Sequence, residues 1–269
     1  MESKVLNIPG TDFEVTLDSS CRAVFVHGRN GTGKSSLLAL WARSNNPSVY
    51  LNADRTTRIS GHDVTQEQVA TVKRQDEQAL NQGTSTFNHK PNEYVTPLDV
   101  VLNSIGRKRL NKIEEIVGYV ESDIERAKYT ASTLDEHKIN EILHRIELTI
   151  SLKVDHQSVS GFKAQKNGSV YDIRHCSDGE RAALLLICQT ALAEPGTLIV
   201  MDEPDKHLYD EIALPTLKEL IELREDCYFA VGSAMNLGTM SWEQGIDFVW
   251  KSVELLSFEK LSESWAVNN

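Results

Sequence analysis

Gly28-Arg29-Asn30-Gly31-Thr32-Gly33-Lys34-Ser35 is the stretch that decides the fold of this chain. It fits the P-loop pattern, a glycine-rich turn that passes a strand into a helix. The glycines let backbone N–H groups curl around phosphate oxygens with no Cβ in the way. Lys34 would neutralise β- and γ-phosphates, and the Ser35 hydroxyl would sit on Mg²⁺. The flanks agree. Ala23-Val24-Phe25-Val26 reads as a short buried strand, and Ser36-Leu37-Leu38-Ala39-Leu40-Trp41 opens an apolar helix. The N-terminus of that helix adds its dipole and its free N–H groups to an anion site.

A second constellation lies far along the chain. Ser177-Asp178-Gly179-Glu180-Arg181 precedes an apolar helix from Ala182 to Leu192 and the short loop Glu194-Pro195-Gly196. The run Thr197-Leu198-Ile199-Val200-Met201 follows and ends in Asp202-Glu203-Pro204. An apolar run without alternation suits a strand buried on both faces of a parallel sheet. The two acids at its C-terminal end lie where open α/β sheets bind ligands. Asp202 would hold Mg²⁺, directly or through water. Glu203 would orient and polarise an attacking water.

Taken together, these stretches resemble the motifs of soluble ABC-class P-loop ATPases, the branch that holds the SMC, RecF and OLD-type proteins. Asn30 stands where the Walker A of that class carries its characteristic Asn. Ser177 to Arg181 is similar to the signature motif in its SxGE form. Asp202-Glu203-Pro204-Asp205-Lys206-His207-Leu208 resembles the Walker B and D-loop pattern DEPxxHL. Transporter subunits usually continue instead into small residues ending in Leu-Asp. Tyr50 to Arg55 and Leu217 to Phe229 also fit. The likeness covers roughly residues 1–55 and 150–250. It is nearest to compact bacterial ATPases that accompany nuclease-like effectors in anti-phage defence.

The resemblance implies an α/β head. It would have a mostly parallel sheet core, an antiparallel N-terminal subsheet and a helical insertion. The ligands implied are ATP and Mg²⁺. The nucleotide would be bound by Gly28, Asn30, Gly31, Thr32, Gly33, Lys34, Ser35 and Ser36, with Lys34 and Glu203 as the catalytic pair and Ser35 and Asp202 as metal ligands. Two heads would sandwich two nucleotides, so Ser177, Gly179 and Glu180 would serve the P-loop of the other copy, with C2 symmetry if the dimer is homomeric. One departure stands out. The family places a switch histidine after the strand that follows Walker B, and here that strand runs Cys227 to Val231 into Gly232-Ser233-Ala234-Met235-Asn236. The γ-phosphate contact is lost, or made by Ser233 or Asn236, and slow turnover is expected. The Q-loop glutamine is not placed; Gln66, Gln68, Gln75 and Gln78 lie in the right region.

Composition is that of an ordinary globular chain: 269 residues, 40% hydrophobic, 25% charged. No apolar run approaches the ~18 residues a membrane span needs, and Met1-Glu2-Ser3-Lys4 has no signal-peptide pattern. A cytoplasmic protein with no membrane association is expected. Cys21, Cys176, Cys188 and Cys227 show no CxxC spacing and read as buried thiols. The eight histidines show no metal-ligand spacing. A net charge of −11 argues against nucleic-acid binding over the whole surface. Arg107, Lys108, Arg109 and Lys112 form the one local basic cluster, more simply read as the solvated start of a helix.

The chain divides into a core of residues 1–55 and 151–269 and a helical insertion of residues 56–150. Within the insertion, Thr96-Pro97 reads as a helix start. Leu110, Ile113, Ile116, Val117, Val120 and Ile124 recur at helical spacing, as do Leu134, Ile139, Ile142, Leu143 and Ile146. The later part should hold a helix from Leu208 to Leu223 interrupted at Pro215, and terminal strands near Phe248 and Leu255. No effector domain is expected in the short stretch after Gly232. The expected function is an ATP-driven switch subunit whose closing dimer controls a separate effector protein. The alternatives are a DNA-repair or chromosome-structure ATPase of RecF or SMC type and, with less support, a transporter ATPase subunit.

Overall fold

A computed structural model of the chain describes residues 2–8, 12, 14–51, 97–155, 157, 161–206, 208, 210–234 and 250–254. Thr96, residues 52–55, Gln66, Gln68, Gln75, Gln78, His207, Met235, Asn236, Phe248 and Leu255 lie outside the described residues. In chain order the elements are β1 (Lys4–Asn7), β2 (Glu14–Leu17), β3 (Ala23–His27), α1 (Lys34–Ser44), β4 (Ser48–Leu51), α2 (Pro97–Val120), α3 (Ile124–Ser132) and α4 (Asp135–Arg145). There follow β5 (Ile150–Val154), β6 (Phe162–Lys166), β7 (Ser169–Tyr171), a 3₁₀ turn (Ile173–His175), α5 (Asp178–Leu192), β8 (Leu198–Asp202), α6 (Asp210–Leu223), β9 (Tyr228–Ser233) and β10 (Trp250–Glu254). They form two compact units, one from residues 2–51 and 193–254, the other from residues 97–192.

The first unit is built on a sheet of order β10-β3-β9-β8-β4, parallel at every pairing. Its inner strands β8 and β9 are buried at every position, as continuous apolar runs in a parallel sheet must be. Alternate residues of three strands (Val24 and Val26, Leu198 and Val200, Tyr228 and Ala230) share one core with Leu37, Leu38 and Trp41 of α1. Leu6, Val15 and Leu17 of the antiparallel β1–β2 hairpin complete it. Each large side chain fully buried there contributes about 1.5–3 kcal/mol. Trp41 keeps its one polar atom satisfied by donating to the Asn7 carbonyl at 2.7 Å. The expected fold class, a parallel α/β core with an antiparallel N-terminal subsheet, is the fold observed.

Register decides where the chemistry falls. His27 pairs with Ser233, and Asp202 pairs with Gly232, so the C-terminal ends of β3, β9 and β8 form one edge. At the opposite edge Arg224 ties the strand starts together. Its guanidinium donates to the Ala193 carbonyl at 2.6 Å and to the Asp226 carboxylate at 2.8 and 3.0 Å. The Arg-Glu-Asp-Cys segment is thus a structural clip, remote from the site edge.

One expectation fails here. Pro215 does not interrupt its helix: α6 runs continuously from Asp210 to Leu223. Proline removes one backbone hydrogen bond at a cost of about 3 kcal/mol. Burial of Leu214, Leu217, Leu220 and Ile221 on the same helix outweighs it. The terminal strand described is Trp250–Glu254, which lies near both anticipated positions.

In the second unit α5 packs against α2 and α4, and the antiparallel sheet β5-β6-β7 lies beside α4. Ala182 to Cys188 are all buried, so α5 is apolar on every side, as a central helix is. Leu134, Ile139, Ile142, Leu143 and Ile146 are buried as their spacing predicts. The first helical stripe behaves differently. Leu110, Val117, Val120 and Ile124 are 50–65% exposed, and α2 buries Leu98, Val101, Leu102 and Ile105 instead. Periodicity located the helix, while its buried half lies nearer the N-terminus. The basic cluster is partly spent inside this unit. Arg109 pairs with Glu136 at 2.6 Å, and Lys112 donates to the Thr133 carbonyl at 2.6 Å beside Asp135. All four cysteines are buried and free of disulfides. No described helix is long and apolar enough to cross a membrane.

Candidate nucleotide site

The chain leaves β3 at His27 and turns through the glycine-rich loop into α1. Gly31 and Gly33 have φ of 83° and 93°, in the left-handed region where a Cβ is disfavoured. Thr32 closes the turn by donating its N–H and its hydroxyl to the Arg29 carbonyl, at 3.2 and 2.9 Å. Gly33 caps α1 without a side-chain hydrogen bond, and no acidic residue stands in the first turn. The helix therefore presents free N–H groups and the positive end of its dipole, with nothing of its own to neutralise them. Lys34 is 4% exposed and its ammonium folds back onto the loop, donating to the Gly28 carbonyl at 2.7 Å and the Arg29 carbonyl at 3.2 Å. Gly28, Asn30, Ser35 and Ser36 lie on the same loop and helix start.

Asp202 ends β8 on the same sheet edge and is 1% exposed. Burial pushes its carboxyl above the usual carboxylate range. The Ser35 and Tyr50 hydroxyls and the Lys34 ammonium pull the other way. The Tyr50 hydroxyl donates to Oδ2 at 3.0 Å. Burial, then the charge of Asp202 and this bond, push the phenol far up, so it remains a donor. The other oxygen, Oδ1, is buried with no hydrogen-bond partner. A buried, half-satisfied carboxylate beside a serine hydroxyl and a lysine is costly for a folded protein. It fits a divalent cation. Among the described residues no cluster of three or more His, Cys, Asp or Glu side chains could hold a metal. Asp202 and Ser35 would share the ion with oxygens of a bound phosphate and water, the habit of Mg²⁺.

Glu203 follows with φ of 45°, one of three non-glycine residues in the left-handed region among the described residues. Such a conformation costs about 1–3 kcal/mol and persists where the surroundings over-determine it. Here the Glu203 N–H donates to the Gly232 carbonyl at 2.7 Å, pinning the turn to β9. Its carboxylate lies 3.9 Å from the Lys206 ammonium. Ser233 donates its hydroxyl to Asp205 at 3.0 Å, so one of the two residues named in place of the missing histidine already has an acceptor.

Gly232 is a constraint that the sequence alone does not reveal. A Cβ there would meet Leu38 Cδ1 at 2.5 Å and Asp202 Oδ1 at 3.7 Å. Any side chain at this position requires the Leu38 methyl of α1 to shift. Gly232→Val should cost about 1–3 kcal/mol through overpacking. At about 2–4 °C per kcal/mol, a thermal melt would read it directly; a variant melting with the wild type would show that Leu38 yields freely.

The signature segment lies in the second unit. Ser177 and Glu180 form a capping box at the start of α5. The Ser177 N–H and hydroxyl donate to Glu180 Oε2 at 2.8 and 3.0 Å, and the Glu180 N–H donates to Ser177 Oγ at 3.3 Å. Burial would raise the Glu180 carboxyl, but Lys166, donating at 2.8 Å, and Ser177 outweigh it and hold it low. Arg181 donates to the carbonyls of Cys176 and Arg174 and pairs with Asp178. Gly179 stands in the first turn of α5. The structure thus brings Lys34, Ser35, Asp202 and Glu203 to one sheet edge, and places Ser177, Gly179 and Glu180 on a pre-shaped helix start elsewhere. The roles of Tyr50, Gly232 and Lys166 escaped sequence reasoning, because nothing local marks a strand tyrosine, a strand glycine or a hairpin lysine as a neighbour of these motifs.

Comparison with known proteins agrees with these motifs. The ABC transporter family matches residues 12–206, a span that includes the P-loop, the signature and Asp202-Glu203. No curated protein matches the chain. Among solved structures, an ABC-transporter-type ATP-binding protein from Pyrococcus furiosus is 12% identical, with a TM-score of 0.47 over 94% of this chain and 96% of that one. An SMC head domain from Thermotoga maritima is 14% identical, with a TM-score of 0.41 over 90% and 92%. An Smc head domain bound to the C-terminal domain of ScpA, from Pyrococcus furiosus, is 12% identical, with a TM-score of 0.40 over 88% and 90%. Scores and identities this low carry no functional inference.

Proposed function

The chain belongs to the ABC transporter family, whose members are P-loop ATPases, and from that premise we propose that it is an ATP-driven switch subunit that dimerises around nucleotide to control a separate effector protein. The observation that carries the reading is the edge shared by β3, β8 and β9. There a glycine-capped helix start and Lys34 stand with a buried carboxylate that lacks a partner on Oδ1 and a strained Glu203. Lys34 would leave the Gly28 and Arg29 carbonyls for the β- and γ-phosphates. N–H groups of Gly31, Gly33, Lys34, Ser35 and Ser36 would hold the remaining phosphate oxygens. Bound Mg²⁺ would neutralise phosphate charge next to Asp202 and Ser35. Glu203 would accept the proton of the attacking water.

Ser177, Gly179 and Glu180 would face the γ-phosphate held by a second copy. The capping box supports this reading because it freezes the helix start without neutralising all of its N–H groups. In this reading residues 1–55 and 151–269 are the ATPase core, and the insertion 56–150 or the tail 250–269 is the face offered to the effector. The protein would work in the cytoplasm. A role in anti-phage defence rests on the likeness to compact bacterial ATPases that travel with nuclease-like effectors. A RecF- or SMC-type role on DNA is supported less, since Arg109 and Lys112 are engaged within the protein.

Light scattering of the purified chain tests the switch. Its mass should double when ATP and Mg²⁺ are added, and steady-state turnover should stay below the enzyme median of about 10 s⁻¹. A mass indifferent to ATP would reject the switch, and fast turnover would reject the slow one.

A further inference from the structure

We propose that Tyr50 is a positioning residue for the divalent cation of this site, holding Asp202 by Oδ2 so that Oδ1 is the oxygen left to the metal. The inference rests on the nucleotide reading above and adds a residue to it. Four observations carry it. The hydroxyl donates to Oδ2 at 3.0 Å, while Oδ1 is buried without a partner. The two residues come from neighbouring strands, Tyr50 pairing with Val200, two residues before Asp202. A strand advances about 3.3 Å per residue, so the long phenol spans an offset that a serine or threonine on β4 could not. The ring packs against the core formed by α1 and the sheet, so the donor is held by apolar contacts and not by the site itself.

The chemistry follows from the shape of a carboxylate. Its two oxygens exchange roles when the terminal torsion turns, and that torsion is soft. A rigid donor on one oxygen removes the ambiguity and orients the other. Tyr50 touches no phosphate in this reading. It acts on the cation only through Asp202, as hydrogen-bonding partners of metal-ligating carboxylates do in general, and loss of such partners typically weakens metal binding about 10–100-fold.

The test uses the full chain and Tyr50→Phe, which keeps the ring and removes only the hydroxyl. Binding of a fluorescent ATP analogue is followed by anisotropy, first in EDTA and then over a Mg²⁺ titration. The expected result is equal binding in EDTA, with the Mg²⁺ concentration for half-maximal enhancement raised about 10–100-fold in the variant. Melting temperatures measured alongside should stay close together. An unchanged Mg²⁺ midpoint would overturn the proposal. So would an equal loss of binding with and without metal, because that is the mark of a merely structural hydroxyl. If the wild type fails to bind the analogue under any condition, the nucleotide reading itself falls and takes this inference with it. If the wild type binds it with no Mg²⁺ dependence, only the role of Tyr50 falls.

Discussion

Lys34→Ala is expected to weaken ATP binding about ten- to a hundredfold or more. A charge-assisted hydrogen bond contributes about 1.5–3 kcal/mol, and each 1.4 kcal/mol is tenfold in affinity. Lys34 is the one P-loop side chain whose charge is buried and aimed along the loop, with Gly28 and Arg29 carbonyls as its present acceptors. Anisotropy of a fluorescent ATP analogue measures the loss. The same substitution removes two internal hydrogen bonds, so a melting curve should accompany the titration. A variant that folds and binds ATP like the wild type would show that the loop holds no triphosphate.

Glu203→Gln should do the opposite to binding and more to chemistry. ATP should still bind, turnover should fall roughly a hundred- to ten-thousandfold, and the closed dimer should accumulate. The amide keeps the size of the side chain but accepts no proton. Its backbone demands are the same: the turn is held by the Glu203 N–H to the Gly232 carbonyl, which the substitution leaves in place. Loss of activity should therefore arrive without loss of stability. Size-exclusion chromatography with ATP, read beside a phosphate-release assay, separates the outcomes. Unchanged turnover and unchanged assembly would remove Glu203 from the catalytic role.

Both substitutions fall in stretches that are legible in the sequence. Residues 28–35 are a contiguous code. Glycines set the positive φ angles, and the following apolar run makes the helix, so loop and helix start can be read with no knowledge of the rest. The run ending at Asp202 is legible for a similar reason, since only a strand covered on both faces tolerates that many apolar residues without alternation. The same logic misled at Leu110 to Ile124. Spacing reports which residues share a helix face, but not whether anything covers that face, and here it is largely solvent. Pro215 misled in the other direction, because a local penalty was outweighed by burial that only the packed helix provides.

The sequence by itself determined the strand–loop–helix of the P-loop, the buried strand that ends at Asp202, and the helix that follows Ser177 to Arg181. Each is a short-range pattern whose backbone conformation and hydrogen bonds are settled within a few residues. Tertiary structure alone decided who meets whom at the site edge. It brought Tyr50 to Asp202 across 152 positions, Ser233 to Asp205, and the bare Cα of Gly232 to Leu38. Those meetings depend on strand order and register. Register is fixed by which apolar residues fill one shared core, a property of the whole packed unit and of no single stretch of chain.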